Sequence, residues 1–289
     1  MMDKTKLRLI HIHSCKGVGW KTIAKFINFD PSLQEIYTLK KPHFSSLFQM
    51  SDYNIENFYK DLHLTRPEEV YASLKKARIH PLTILDNEYP VYLKQIYDPP
   101  WVLYLKGRIS LLQSKCISVV GTRKPSPYGY AVMRKLLPTL INNQWTIVSG
   151  LALGIDTEAH KIAISENGNT IAILGSGFNY IYPSINCKLA EKIASEQLLI
   201  TEFPPDKKAE KWHFPFRNRI ISGLSKGTLI IEAKERSGSL ITAEQALEQG
   251  REVFAVPGSI LEATNQGTNR LIQNGAKLVI DAEDILEEL

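Results

Sequence analysis

Short apolar runs recur through the last two thirds of the chain, at 101–105 (Trp-Val-Leu-Tyr-Leu), 116–120, 145–148, 170–174, 198–201, 228–231, 252–256 and 277–280. Most are separated by helical patterns of about ten residues or more, a rhythm that belongs to strand–helix–strand units. Parallel neighbours need such crossovers, and the crossovers cover the sheet. The spacing therefore predicts an α/β fold with a doubly wound, mostly parallel sheet carrying helices on both faces. Before residue 75 the pattern differs. Ile23, Phe26 and Ile27, then Phe44, Leu47 and Phe48, repeat at helical intervals without strand alternation. Lys75, Lys76 and Arg78 lead into Pro81 and a short apolar run over 82–85, so a small all-helical domain over 1–77 and a second domain over 78–289 are expected.

Composition narrows the classes. With 289 residues and 44% hydrophobic content, the chain can build real cores and is not disordered. A net charge of +5 is mild, so any polyanion contact must come from a local cluster. The three cysteines, Cys15, Cys116 and Cys187, lie far apart with no C-x-x-C spacing, which argues against a disulfide framework and a cysteine zinc site. No run approaches a membrane span and no signal-peptide pattern opens the chain. These features read as a soluble, cytoplasmic protein.

In doubly wound sheets ligands sit beyond the carboxyl ends of the strands. Here successive strands end in glycine-bearing loops: Gly121-Thr122-Arg123, then Ser149-Gly150 running on to Gly154 and Asp156, then Gly175-Ser176-Gly177. Gly121 permits close backbone approach, Thr122 and the loop amides can donate to phosphate oxygens, and Arg123 can pair with phosphate bidentately. One such loop is an ordinary turn; several on one sheet edge predict an anion cleft. Ser237-Gly238-Ser239 opens a later helix and is a further candidate cradle, with helix capping as its bland explanation. Later strand ends add Glu202, and Glu232 with Lys234.

Other motifs fare less well. Gly175-x-Gly177 lacks the third glycine of a dinucleotide fingerprint, since Tyr180 stands there. Gly17-Val18-Gly19-Trp20-Lys21-Thr22 is no P-loop, because Trp20 replaces the glycine before Lys-Thr; as a turn between helices it could offer amides to a DNA backbone. Ser149, Asp156 and His160 list the members of a hydrolase triad, but the nucleophile-elbow pattern is missing and an i,i+4 pair that orders the loop explains them better. His11 and His13 have no neighbouring ligand types for a metal site.

The richest cluster is 207–219, Lys-Lys-Ala-Glu-Lys-Trp-His-Phe-Pro-Phe-Arg-Asn-Arg. Cations there can track phosphates, and ring faces can stack bases, the mixture that suits single-stranded nucleic acid. Glu210 is the only carboxylate inside it, which leaves Lys207, Lys208, Lys211, Arg217 and Arg219 in excess. The competing explanation puts Trp212, Phe214 and Phe216 in the core before a helix.

Taken in order, Tyr89-Pro90, Asp98-Pro99-Pro100, Gly121-Thr122-Arg123, Ser149-Gly150 through His160, Tyr182-Pro183, Phe214-Pro215 with Arg217-Asn218-Arg219, Ser237-Gly238-Ser239 and Pro257-Gly258 resemble the DNA processing protein A (DprA/Smf) family over about residues 80–280. The resemblance implies an extended Rossmann-like domain that binds single-stranded DNA, forms a homodimer and loads RecA recombinase onto incoming strands in natural transformation, with single-strand-binding protein as a further partner. It implies no catalysis and no cofactor. The helical N-terminus resembles the sterile-alpha-motif-like (SAM-like) domain of many members, and the winged helix that some append is not expected in a chain ending at Leu289. Carried over by position, the strand-binding site would comprise Gly121, Thr122, Arg123, Ser149, Gly150, Gly175, Lys211, Phe214, Arg217, Asn218, Arg219, Ser237 and Gly238. The dimer and RecA face would fall near Asn269, Ile272 and Leu278. Where some members place a DNA-contacting lysine after Tyr-Pro, this chain has Ser184, with Lys188 nearby. The alternative is an enzyme resembling the lysine-decarboxylase-like phosphoribohydrolases with Glu244 as acid or base, but residues 237–242 lack their glycine run.

Overall fold

A computed structural model describes residues 3–289, which divide into two units: one of residues up to Tyr89 with Asp98–Leu105, the other of Pro90–Tyr97 with Lys106–Leu289. In the first unit, helices α1 (Lys4–Ser14), α2 (Trp20–Phe29), α3 (Lys41–Phe48), α4 (Asp52–Leu64) and α5 (Pro67–Lys76) follow their local signals. The Asp3 carboxylate accepts from the Thr5 amide at 2.9 Å to cap α1, and Ser51 caps α4. Pro67 opens α5, where Glu69 accepts from the Arg66 amide. Phe26, Phe44, Phe48 and Phe58 form the aromatic centre, while Leu47, expected inside, is 48% exposed. The Gly17–Thr22 turn serves as a helix joint: Gly17 has φ +80° and its Cα abuts the Asn54 backbone, where a side chain would not fit. His11 bonds to Tyr37 and Thr65, and His13 to Tyr104.

The helices end at Lys76, but the unit does not. It continues through β1 (His80–Thr83), which pairs antiparallel with β2 (Val102–Gly107), His80 opposite Leu105. The boundary expected at 77/78 thus falls inside this unit, because the strand pair joins the helices' contact network.

The second unit holds a short helix, α6 (Val91–Lys94), and then alternates: β3 (Cys116–Val120), α7 (Pro127–Asn142), β4 (Thr146–Ser149), α8 (Ile155–Ser165), β5 (Thr170–Leu174), α9 (Cys187–Glu196), β6 (Leu198–Thr201), α10 (His213–Leu224), β7 (Gly227–Ile230), α11 (Gly238–Glu248), β8 (Glu252–Ala255), α12 (Gln266–Gln273), β9 (Lys277–Leu278) and α13 (Glu283–Leu286). Its strands lie in the order β6-β5-β4-β3-β7-β8-β9, every pair parallel. The expected strand at 277–280 contracts to Lys277–Leu278.

Register explains the layering. Ile117 and Val119 face the same side as Ile147, Leu229 and Phe254, and there Met133, Leu137 and Leu140 of α7 pack with Ile155 and Ala159 of α8. Ala172, Leu174 and Leu199 extend this face beneath Ala190 and Ile193 of α9. Helices α10 and α11 cover the opposite face. Winding runs one way from β3 through β6 and the other way from β7 through β9, so the order reverses between β3 and β7. That is the point at which doubly wound sheets offer a crevice.

Candidate nucleic-acid interface

The carboxyl edge brings the glycine loops together, but it does not leave their amides free. At the crevice between β3 and β7, Glu232 is fully buried at the start of α7. Its carboxylate accepts from the Ser126 amide at 2.9 Å and the Ser126 hydroxyl at 2.6 Å, and its carbonyl accepts from the Thr122 amide at 2.8 Å. Gly129 is required there, since a Cβ would collide with that carboxylate. A helix start is an anion site; this one is filled by the protein's own side chain.

The next loop repeats the arrangement. Asp156 accepts from the Gly150 amide at 3.1 Å and the Ala152 amide at 3.4 Å. Burial pushes its carboxyl up, against the pull of the Arg217 guanidinium and the two amides. Arg217, 4% exposed, donates to the carbonyls of Gly150 and Ile173 and to Asn218 Oδ1. Burial lowers its pKa to about 10, opposed by Asp156. A side chain on Gly150 would occupy the guanidinium's place.

Several expected contacts therefore need correcting. Arg217 is turned inward and holds the β4 and β5 loops. Arg219 is paired with Glu202 at 2.8 Å, with 4% and 7% of the side chains exposed, and its guanidinium lies 3.9 Å from the Phe216 ring centre. The Ser149 hydroxyl is buried and donates to the Val119 carbonyl at 2.7 Å, which also removes it from any triad. His160 is buried against Thr170 at 2.6 Å. Thr122 has lost its amide to Glu232, and its hydroxyl accepts from the Lys124 amide at 3.2 Å. Lys207, read as unneutralised, pairs with Glu210.

What remains outward is a row of side chains. Arg123 and Lys124 are exposed beside Gly121, with Gly154 packed against the Thr122 and Arg123 backbone. Lys211 is exposed, and Lys208 lies 5.4 Å from the Tyr180 ring centre. Phe214 sits half-buried on Gly175, where a Cβ would come within 2.9 Å of its ring. Tyr182, 53% exposed, is 5.4 Å from Phe214 between ring centres, and Trp212 is 55% exposed. The Asn218 amide donates to the Gly238 carbonyl at 3.3 Å, drawing Ser237 and Gly238 to the same edge. Helix α11 opens there without a side-chain cap bond, and nothing lies within 4 Å of a Cβ on Gly238. The residues leading into it, Lys234, Glu235 and Arg236, are all exposed.

Trp212 entered the sequence reading as one ring of the 207–219 cluster, whereas Tyr182 entered only as half of the Tyr182-Pro183 motif and was not singled out as a site residue. Glu244 is exposed on α11, away from the filled anion sites. Asn269, Ile272 and Leu278 lie on α12 and the terminal strand β9. The Asn269 side chain is engaged with both the amide and the carbonyl of Gly258, Ile272 is half-buried, and Leu278 is 37% exposed.

A model of the DNA recombination-mediator protein A family matches residues 80–289. The chain belongs to that family. It is 49% identical over 236 residues to DNA processing protein DprA of Bacillus subtilis, covering 81% of this chain and 78% of that protein. It is 45% identical to the Streptococcus pneumoniae protein of the same name over 221 residues, 76% of this chain and 78% of the relative. The crystal structure of S. pneumoniae DprA superposes with a TM-score of 0.84 at 36% identity, covering 100% of this chain and 98% of the other. A Helicobacter pylori member, whose structure describes its single-stranded DNA binding mode, matches 73% of this chain and 95% of its own with a TM-score of 0.66 at 30% identity. No helix among the described residues is long and apolar enough to cross a membrane.

Proposed function

We propose that this chain binds single-stranded DNA along the carboxyl edge of its parallel sheet and acts, without catalysis or cofactor, as a recombination mediator. The observation that carries the reading is the division of labour at that edge. Glu232 and Asp156 occupy the amide sites that a nucleotide phosphate would use, while Arg123, Lys124 and Lys211 stand exposed past the strand ends and Tyr182, Trp212 and Phe214 present rings in the segments past β5 and β6. Spaced side-chain cations suit a backbone of many phosphates, and ring faces accept bases at about 1–3 kcal/mol each. The H. pylori relative's single-stranded DNA binding supports the same ligand.

Within this reading the protein hands its strand to RecA recombinase, with single-strand-binding protein as a further partner, and works as a homodimer through α12 and β9. Two of its three free cysteines are buried, which fits a cytoplasmic site of action. The test is titration of the purified chain with single- and double-stranded DNA of equal length at several salt concentrations. Single strands should bind more tightly, and Arg123→Glu and Lys211→Glu should each weaken binding and flatten its salt dependence. Unchanged affinity in both variants would remove the proposed interface. Recombinase loading is read separately, as strand exchange on DNA precoated with single-strand-binding protein, with and without this chain.

A further inference from the structure

The connection from β8 to α12, at the carboxyl end of the same sheet, walls a cavity of about 560 Å³ against the start of α7. Ser126, Tyr128, Gly258, Glu262, Thr264 and Asn265 are among the lining residues. Its size falls within the range of small-molecule pockets. Strand order places it across the 121–127 loop from Gly150, because β8 and β4 lie on opposite sides of β3.

Asn265 is the telling residue. It is only 4% exposed, and its side-chain oxygen is buried with no hydrogen-bond partner. Leaving such a group unpaired costs about 1–3 kcal/mol. Gly258 makes room for it: a Cβ there would coincide with the Asn265 amide. The amide can present either its oxygen or its nitrogen to an occupant.

The remaining lining says which occupant. No lysine or arginine lines the cavity, and the adjoining start of α7 is already satisfied by Glu232. A phosphate group therefore has no reason to enter. Glu262 contributes a carboxylate, which accepts two parallel N–H bonds, and Tyr128 contributes a ring that is 43% exposed, its hydroxyl anchored to the Pro257 carbonyl at 2.6 Å. A flat heterocycle offering adjacent donors plus a carbonyl meets these groups. Guanine has N1–H and N2–H beside O6, whereas adenine puts a bare acceptor where the carboxylate would lie. Extruded bases are read in this manner, by their Watson–Crick edge and by stacking.

We propose that this cavity is a guanine-selective base pocket, with Glu262 reading the N1/N2 edge, Asn265 pairing the carbonyl side and Tyr128 covering one face. The guanine can come from a bound strand or from a free guanine nucleotide. Arg123 precedes Ser126 by three residues, at most about 11 Å of extended chain, so a strand held at Arg123 passes the mouth.

The test uses the full chain. Guanosine and adenosine monophosphates are titrated by calorimetry, and all-thymine strands with or without one central guanine are compared by fluorescence anisotropy. About tenfold preference for the guanine ligand is expected in at least one of the two formats, falling to less than about threefold in Glu262→Gln, while affinity for the all-thymine strand stays unchanged. Glu262 is exposed and its side chain supports no other residue, so the variant folds; matching melting curves check this. Preference confined to the mononucleotide identifies a free nucleotide as the source, and preference confined to the strand identifies a bound base. Equal affinities for guanine and adenine or thymine ligands in both formats, or a preference that survives Glu262→Gln, would overturn the pocket. Loss of all-thymine binding in the unaltered chain would sink the strand-binding function instead, and the mononucleotide titration would then decide the pocket alone.

Discussion

Replacing Arg219 by Met separates a residue that builds the edge from residues that touch the ligand. The Arg219–Glu202 pair is 2.8 Å long and nearly dry, with 4% and 7% of the side chains exposed. Met keeps much of the side-chain volume, so cavity formation contributes little. Removing the cation leaves the Glu202 carboxylate buried with its charge undercompensated, at a cost of about 3–5 kcal/mol. Loss of the cation stacked 3.9 Å from the Phe216 ring centre adds to this. At roughly 2–4 °C per kcal/mol for a unit of this size, the melting midpoint should fall by about 6–20 °C. Glu202→Gln in the same chain should restore part of the loss, because the stranded charge goes with it. Lys211→Met is the matched control: the side chain is exposed, so stability should stay within about 0.5 kcal/mol. Below both midpoints the order should reverse. Lys211→Met should lose strand affinity and reduce the slope of log affinity against log salt by about 0.7 per phosphate contact removed, while Arg219→Met binds as the parent does. Thermal melts followed by circular dichroism and anisotropy titrations supply both readouts. An Arg219→Met midpoint within about 2 °C of the parent, or a salt slope that drops as it does for Lys211→Met, would refute a structural role.

Three further outcomes are expected. Burial, reinforced by the Arg217 charge, pushes the pKa of His160 down to about 3, so between that value and about 6.5 the unfolded chain binds a proton that the folded chain refuses; stability should be full above pH 6.5 and fall as the pH drops, by up to about 1.4 kcal/mol per unit. Urea midpoints at pH 7.5, 6.0 and 5.0 measure this, and His160→Asn should flatten the profile. Glu232→Ser should cost about 1–3 kcal/mol by leaving the Ser126 amide and hydroxyl, at the start of α7, without their carboxylate, and millimolar phosphate should raise the variant's midpoint but not the parent's; no phosphate effect would show that the helix start is not an anion site. For the proposed homodimer, Ile272→Glu or Leu278→Glu should sediment as a monomer, and an intact dimer in both would reassign the interface.

The strands were legible because buried parallel strands are apolar throughout, and Ile117–Val120 or Ile171–Leu174 admit no other economical reading. The exposure of Arg123 and Lys211 was legible too: one follows the glycine that ends β3, and the other stands in a cation-rich segment with a single carboxylate, Glu210. Arg217 and Arg219 share the second property, so local charge counting misplaced them. Their partners are remote in sequence: the Ile173 carbonyl and the Gly150 carbonyl for one, Glu202 for the other. Successive residues on a helix differ by about 100°, so a run of Arg217, Asn218 and Arg219 in α10 had to turn at least one cation toward the sheet. The available clue was the acidic residue ending an apolar strand. Glu202 after β6 and Glu232 after β7 are carboxylates at the rim of a dry sheet, and each obliges a cation or a set of donors to meet it.

Those carboxylates also decide what the scaffold can serve. A doubly wound sheet offers helix starts at its switch point, and a mononucleotide is held by concentrating several amides on one phosphate group. Here the amides of Gly150, Ala152 and Ser126 are spent on Asp156 and Glu232, and a phosphate approaching either loop would find its donors already taken by a side-chain carboxyl group. Cations project beyond these loops instead, Arg123, Lys124, Lys208 and Lys211 among them, with Lys234 and Arg236 before the start of α11. No single group among them concentrates enough donors to hold one phosphate tightly. Spread along an edge, they can hold several phosphates weakly, which gives affinity to a polymer and little to its monomer. Binding of that kind weakens steeply with salt and is blind to sequence. Any preference among bases must then come from a place with no net cationic lining and an unsatisfied polar group, and the cavity around Asn265 is such a place.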